Sequence, residues 1–147
     1  MKLVGHWIFE AINNYKQQGY EKGKAYALET ACVLFCSKSK TVFNARYLAF
    51  LYRGLEEAMK LRHPALSAVI VMNLTSFFPN EFPGCNVLIP SLVYTVARIL
   101  LEVGTSNAQL RRSCIRLVGT LLCYPNTYVS LVFVHSLSLV CLSVLLA

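Results

Sequence analysis

The chain reads as a succession of helix-length stretches in which apolar residues return every three or four positions, the period of an α-helix that buries one side. Residues 2–18 carry Leu3, Trp7, Ile8, Ile12 and Tyr15 at that spacing. Gly19 and Gly23 bracket a predicted break, and a second helix is predicted over 24–36, closed by the polar turn Ser37-Lys38-Ser39-Lys40. A third is predicted over 41–61, with Phe43, Tyr47, Phe50, Leu51 and Ala58 on one face. Arg46, Arg53 and Glu57 fall on the other face, the last two spaced to pair weakly.

His63-Pro64 marks the next boundary, because proline suits a first helical turn and disfavours an interior. Residues 65–78 are then apolar nearly all round, the pattern of a buried helix. A Pro- and Gly-containing loop over 79–84 leads to a fifth helix over 90–103. Its predicted inner face holds Leu92, Val96, Ile99, Leu100 and Val103, and its outer face Thr95, Arg98 and Glu102. Gly104 stops it. Ser106 or Asn107 caps a sixth helix over 108–123, with Leu110, Cys114, Leu117, Val118 and Leu121 pointing in and Arg112, Arg116 and Thr120 pointing out.

A helix pair thus recurs about every 40 residues, the size of a HEAT or armadillo unit. Strand-like alternation is not evident. The predicted fold is all-α: stacked antiparallel helix pairs forming a HEAT/armadillo-like solenoid segment over 1–128, with a compact helical bundle as the alternative arrangement. The remaining stretch, 129–147, is distinct, for it is an apolar, Ser-containing run with no Lys, Arg, Asp or Glu, and His135 is its one basic side chain. About twenty such residues can span a bilayer. The segment is therefore expected to be a membrane anchor, a buried terminal helix, or out-of-place sequence from a gene-model error.

Composition sharpens this picture. Of the 147 residues, 56% are hydrophobic and 14% charged, and mean hydropathy is +0.51. An ordinary soluble domain carries roughly 25% charged residues, so this chain is expected to bury surface against more protein or to touch a membrane. Disorder of the whole chain is excluded by the same figures. The formal net charge is +7, and aspartate does not occur. The bases are scattered instead of striped, which argues against a nucleic-acid groove. Their densest group, Arg111, Arg112 and Arg116, is the one charged feature suited to docking, either to an acidic partner or to anionic lipid heads. The six cysteines mostly sit in apolar runs without a C-x-x-C motif and are read as reduced core thiols in a cytoplasmic setting. The N-terminus lacks a long apolar run of the kind that forms a signal peptide.

Catalytic and cofactor motifs are missing. A phosphate-binding loop, a dinucleotide fingerprint and a G-x-S-x-G elbow are all absent. Cys32 and Cys36 share a helix face, but no histidine lies near them in sequence to complete a zinc site. His6, His63 and His135 are isolated, with His63 suited to a capping or exposed role. Glu56 and Glu57 are adjacent and are expected to point in different directions on a solvated face. The aromatic residues are read as packing. No catalytic residue, cofactor or metal is therefore expected.

Several stretches resemble the Ral GTPase-activating protein alpha subunits and their tuberin relatives. The turn Leu34-Phe35-Cys36-Ser37-Lys38 is followed by the helix that contains Phe43-Asn44-Ala45-Arg46-Tyr47 and Phe50-Leu51-Tyr52-Arg53-Gly54-Leu55. Phe77-Phe78-Pro79 and Phe82-Pro83-Gly84-Cys85-Asn86-Val87-Leu88-Ile89-Pro90 resemble that family's Pro-Gly turn entering an apolar helix. Leu110-Arg111-Arg112 and Leu121-Leu122-Cys123-Tyr124-Pro125-Asn126-Thr127-Tyr128 resemble its helix ending in a Pro-Asn-x-Tyr turn. The resemblance covers residues 20–128. It implies the family's helical scaffolding region and not its far C-terminal GTPase-activating domain, which supplies an asparagine to the GTPase; Asn126 belongs to the turn and inherits no such role. It further implies protein partners within a GTPase activator complex, in the cytoplasm. Membrane contact through 129–147 is the alternative.

Overall fold

Helix ends along this chain follow from local chemistry. Asn44 adopts an extended backbone and its side chain accepts a hydrogen bond from the Arg46 N–H at 2.9 Å, filling one of the donors that a helix start leaves open. Asn107 does the same for Gln109 N–H at 3.0 Å. Pro64 forces His63 into an extended conformation and opens the next helix. In a computed structural model that describes residues 5–13, 19–37, 43–102 and 107–123, these signals delimit six α-helices. They are α1 (Gly5–Asn13), α2 (Glu21–Cys36), α3 (Ala45–Lys60), α4 (Pro64–Leu74), α5 (Ile89–Leu101) and α6 (Ala108–Cys123). Two 3-10 turns, Phe78–Asn80 and Cys85–Leu88, join α4 to α5. The described residues contain no strand, so the chain is all-α in them.

Some boundaries differ from the pattern's expectation. The break before α2 needs Gly19 alone, whose φ of +98° is a glycine conformation, whereas Gly23 lies in the first turn of α2. α3 begins at Ala45 because Asn44 caps it. α4 ends at Leu74 and not at 78. Pro79 has no N–H to donate to the Thr75 carbonyl, so the α-helix does not continue through it and the chain tightens into i→i+3 bonds such as Glu81 N–H to Phe78 C=O at 3.0 Å. α4 is also not buried all round, since Met72 is exposed and Val69 half-buried. Thr95, expected outside, is buried; its hydroxyl donates to the Ser91 carbonyl at 2.7 Å, so burial strands no polar group. Gly104, Ser106, the turn at 124–126 and the apolar run 129–147 lie outside the described residues.

The helices pack in two rows. α1, α3 and α5 touch in that order, as do α2, α4 and α6, and each row leans on the other. Directions follow from the contacts. Phe9 of α1 meets Tyr47 and Phe50 of α3, with ring centroids 6.0 and 5.8 Å apart, and Ile12 meets Gly54 further along. So α1 and α3 run the same way. α2 and α4 also pack against each other. Between rows the sense reverses. Phe9 in α1 meets Phe35 at the end of α2, and Ser67 near the start of α4 meets Arg98 near the end of α5.

The core lies between the rows and under the α4–α5 connection. Leu51, Leu55, Leu66, Ile70, Leu74 and Leu92 are fully buried. Ring contacts run from Phe35 through Phe43 and Phe82 to Phe77, whose ring packs edge-on against both Tyr52 and Phe78. The Tyr52 hydroxyl donates to the Pro83 carbonyl at 2.9 Å, tying the loop to α3. Burial, with a smaller contribution from Cys85, raises the Tyr52 phenol above its ordinary range.

Candidate docking surface

α6 carries a run of bases without an acid: its sixteen residues include Arg111, Arg112 and Arg116 and no carboxylate. All three arginines are exposed, and none makes an ion pair among the described residues. Arg112 and Arg116 are one turn apart on the same side of the helix, while Arg111 lies about 100° around it. Between them the helix exposes Ile115 and Leu122, each about half accessible. The buried side of α6 is Cys114, Leu117, Val118 and Leu121, as the spacing predicts. The structure thus brings the three arginines to one outward surface and adds an apolar component that the charge pattern alone did not reveal. The signal was the i, i+7 spacing of Ile115 and Leu122.

A second concavity was not anticipated. A groove of about 720 Å³ lies between α1 and the start of α3, floored by Phe9, Tyr47 and Phe50 and rimmed by His6, Glu10, Asn44 and Arg46. His6 is therefore not isolated: its Nδ1 is 3.7 Å from a Glu10 carboxylate oxygen. Arg46 lies over the Phe50 ring, 5.7 Å from its centroid. The i, i+4 spacing of His6 and Glu10 was the legible part; their approach to Arg46 depends on how α1 meets α3. A smaller pocket, of about 320 Å³, lies beside Tyr94, Arg62 and Lys60.

Other residues depart from their expected roles. Glu56 and Glu57 do not diverge into solvent but converge on Lys60, at 3.1 and 3.0 Å, leaving Arg53 out of the pair expected for it. A glutamate N-terminal to a lysine along a helix is the favoured order, and Arg53 precedes Glu57. His63 occupies the N-cap of α4 without capping it through its side chain, and its Nδ1 is buried with no hydrogen-bond partner among the described residues. Trp7, Tyr20, Tyr26 and Tyr94 are exposed and not packed in the core.

The cysteines behave as thiols, all free among the described residues. Burial pushes Cys32 up to about 12, helped by Cys36 and Glu29, and pushes Cys36 and Cys114 up to about 11. Such thiols are poor nucleophiles and poor metal ligands at neutral pH. Cys85 is raised as well, chiefly by burial, and sits in a 3-10 turn instead of a helix core. Cys123 is exposed at the end of α6 and is not a core thiol. No group of three metal-binding side chains occurs among the described residues, and no described helix is long and apolar enough to cross a membrane.

No protein-family model matches the chain, and no solved structure matches it at a significant level. Curated proteins do. The chain is 32% identical over 134 residues to a Rap-GAP domain-containing protein of Dictyostelium discoideum, a match that covers 90% of this chain and 8% of that protein. It is 30% identical over 138 residues to Ral GTPase-activating protein subunit beta of Homo sapiens, covering 86% of this chain and 9% of the subunit. Against Ral GTPase-activating protein subunit alpha-2 of Mus musculus the identity is 24% over 129 residues, covering 87% and 7%. The likeness is therefore to Ral GTPase-activating protein subunits and their relatives in general. The alpha subunit is not singled out, since the beta subunit matches at higher identity. The chain spans less than a tenth of the length of these relatives.

Proposed function

We propose that this chain is a non-catalytic helical scaffold segment of a small-GTPase activator related to the Ral GTPase-activating proteins, acting in the cytoplasm by holding other segments or subunits of the complex. One observation carries this reading. A match over nine-tenths of this chain to under a tenth of a Rap-GAP domain-containing protein takes in most of the residues described as packed helices. The two rows further support a HEAT/armadillo-like solenoid. Helices within a row run parallel where contacts define their sense, and helices between rows run antiparallel, as in stacked helix pairs. Burial of the thiols fits packing better than chemistry.

The test has two arms. Purified chain added to GTP-loaded Ral or Rap protein is expected to leave hydrolysis at its intrinsic rate; clear acceleration overturns the non-catalytic reading. Tagged chain expressed in cells is expected to co-purify with Ral GTPase-activating protein subunits, and their absence from the captured material overturns the scaffold reading. Anchoring through 129–147 is the competing view, and retention of the full chain in the membrane pellet after alkaline carbonate extraction would favour it.

A further inference from the structure

The outward face of α6 contains a glycine that the described fold does not use. Gly119 lies well inside the helix, where glycine is a much poorer helix former than alanine. A Cβ built there meets nothing within 4 Å, so no neighbour in the described chain demands its absence. Gly54 is the contrasting case, because a Cβ there would collide with Ile12. Gly23 is also uncrowded, but it falls in the first turn of α2, where helical constraint is weakest. At Gly119 the missing side chain leaves a shallow notch between Ile115, four residues before it, and Leu122, three after, both of them exposed. Arg111 precedes Ile115 by one turn, and Arg112 and Arg116 run along one edge. The result is an apolar strip with a notch that admits close backbone approach, bordered by three positive charges that make no ion pair among the described residues.

We propose that this face of α6 docks an acidic amphipathic helix of a protein partner. The partner's apolar side lies over Ile115, Gly119 and Leu122, and its glutamates or aspartates meet Arg111, Arg112 and Arg116. Charge complementarity selects this occupant. α6 has no acid of its own and the whole chain is at +7, so a second copy of the same surface is repelled. The strip suits a helix because its apolar residues are spaced i, i+4, i+7, the register in which helix-in-groove partners place their anchors. The inference deepens the docking role proposed above and rests on it.

The full chain is titrated with a fluorescein-labelled helical peptide carrying a leucine stripe flanked by glutamates, and with the same peptide carrying lysines instead. Binding of the glutamate peptide is expected to exceed that of the lysine peptide by at least about tenfold and to weaken as salt rises. The Arg112→Glu/Arg116→Glu double variant should lose about tenfold in affinity with its thermal melt unchanged. Gly119→Trp should block binding without lowering the melting temperature, and Gly119→Ala should keep binding while raising it. Equal binding of both peptides, or full binding by the Gly119→Trp and arginine variants, overturns the inference for α6 while leaving the scaffold reading intact. Binding to phosphatidylserine vesicles but not to the glutamate peptide overturns it in favour of a lipid surface. Self-association abolished by the arginine variants overturns it in favour of a second copy. Loss of co-purification with GTPase-activating subunits is the separate result that sinks the scaffold reading itself.

Discussion

Gly54 of α3 lies directly against Ile12 of α1, so close that a methyl group in place of the glycine hydrogen would overlap the isoleucine Cγ2. Both residues are buried, and Ile12 is a core side chain with little room to swing. Gly54→Ala gains roughly 1 kcal/mol of helix propensity but forces a core rearrangement that costs about 1–3 kcal/mol. The net expectation is destabilisation by about 1 kcal/mol, larger for Gly54→Val. In an Ile12→Ala background the clash is gone, and Gly54→Ala should then be neutral or stabilising. Urea melts of the parent chain, the two single alanine variants and the double variant form the cycle; additive effects would show that the two residues do not press on each other.

Arg98 joins two helices. Its Nη2 donates to the buried Ser67 hydroxyl at 3.0 Å, while Nη1 pairs with Glu102 at 3.1 Å. Ser67→Ala removes one acceptor and leaves the Glu102 pair, so a loss of about 1 kcal/mol is expected. Arg98→Ala also removes the partly buried stem and leaves the Ser67 hydroxyl unpaired, so a loss of about 2–3 kcal/mol is expected. Chemical denaturation that ranked serine removal as the costlier change would contradict this arrangement.

Leu117 and Leu122 share α6 but face opposite ways, one fully buried and the other half exposed. Leu117→Asp places an unpaired charge in the core, and the chain is expected to lose cooperative unfolding. Leu122→Asp should change stability by no more than about 0.5 kcal/mol. Circular dichroism melts of the two proteins separate these outcomes, and equal behaviour would mean the helix is turned differently.

The thiols set an alkaline limit. Cys32, Cys36 and Cys114 have folded-state values of about 12, 11 and 11, raised chiefly by burial from the usual 9.0. A group whose folded value is raised contributes stability that is complete below its unfolded value and falls away as pH climbs towards the folded one. Stability should therefore hold to about pH 9 and decline through pH 11, by up to about 1.4 kcal/mol per pH unit for a single buried thiol. Cys32→Ala should flatten that decline. At neutral pH, among the described cysteines, Cys123 should react fastest with a disulfide reagent, and labelling of Cys32 at the same rate would argue against its burial.

Much of the fold was legible because it is written in short-range periodicity. α6 matches its predicted span at both ends, and its inner face is the predicted one. Asn107 is a recognisable cap and Pro64 a recognisable opening. What escaped the reading depends on contacts between segments distant in sequence. Thr95 and Arg98 look like outward residues on a helical wheel, yet neighbouring α4 gives Arg98 a buried partner and covers part of that side. Glu56 and Glu57 look divergent until the length of Lys60 is considered. The candidate site followed the same division. The arginines are visible as a cluster, whereas the emptiness around Gly119 and the groove at His6 depend on where other helices lie.

Trp7 is the chain's single tryptophan, and it stands 73% exposed on α1. Its indole already meets water in the native protein, so unfolding changes its surroundings little. Its emission is accordingly a poor gauge of whether the core is intact and a sensitive gauge of what touches α1. A blue shift or protection from iodide quenching would signal that something has settled over that helix, even while the rest of the molecule is unaltered.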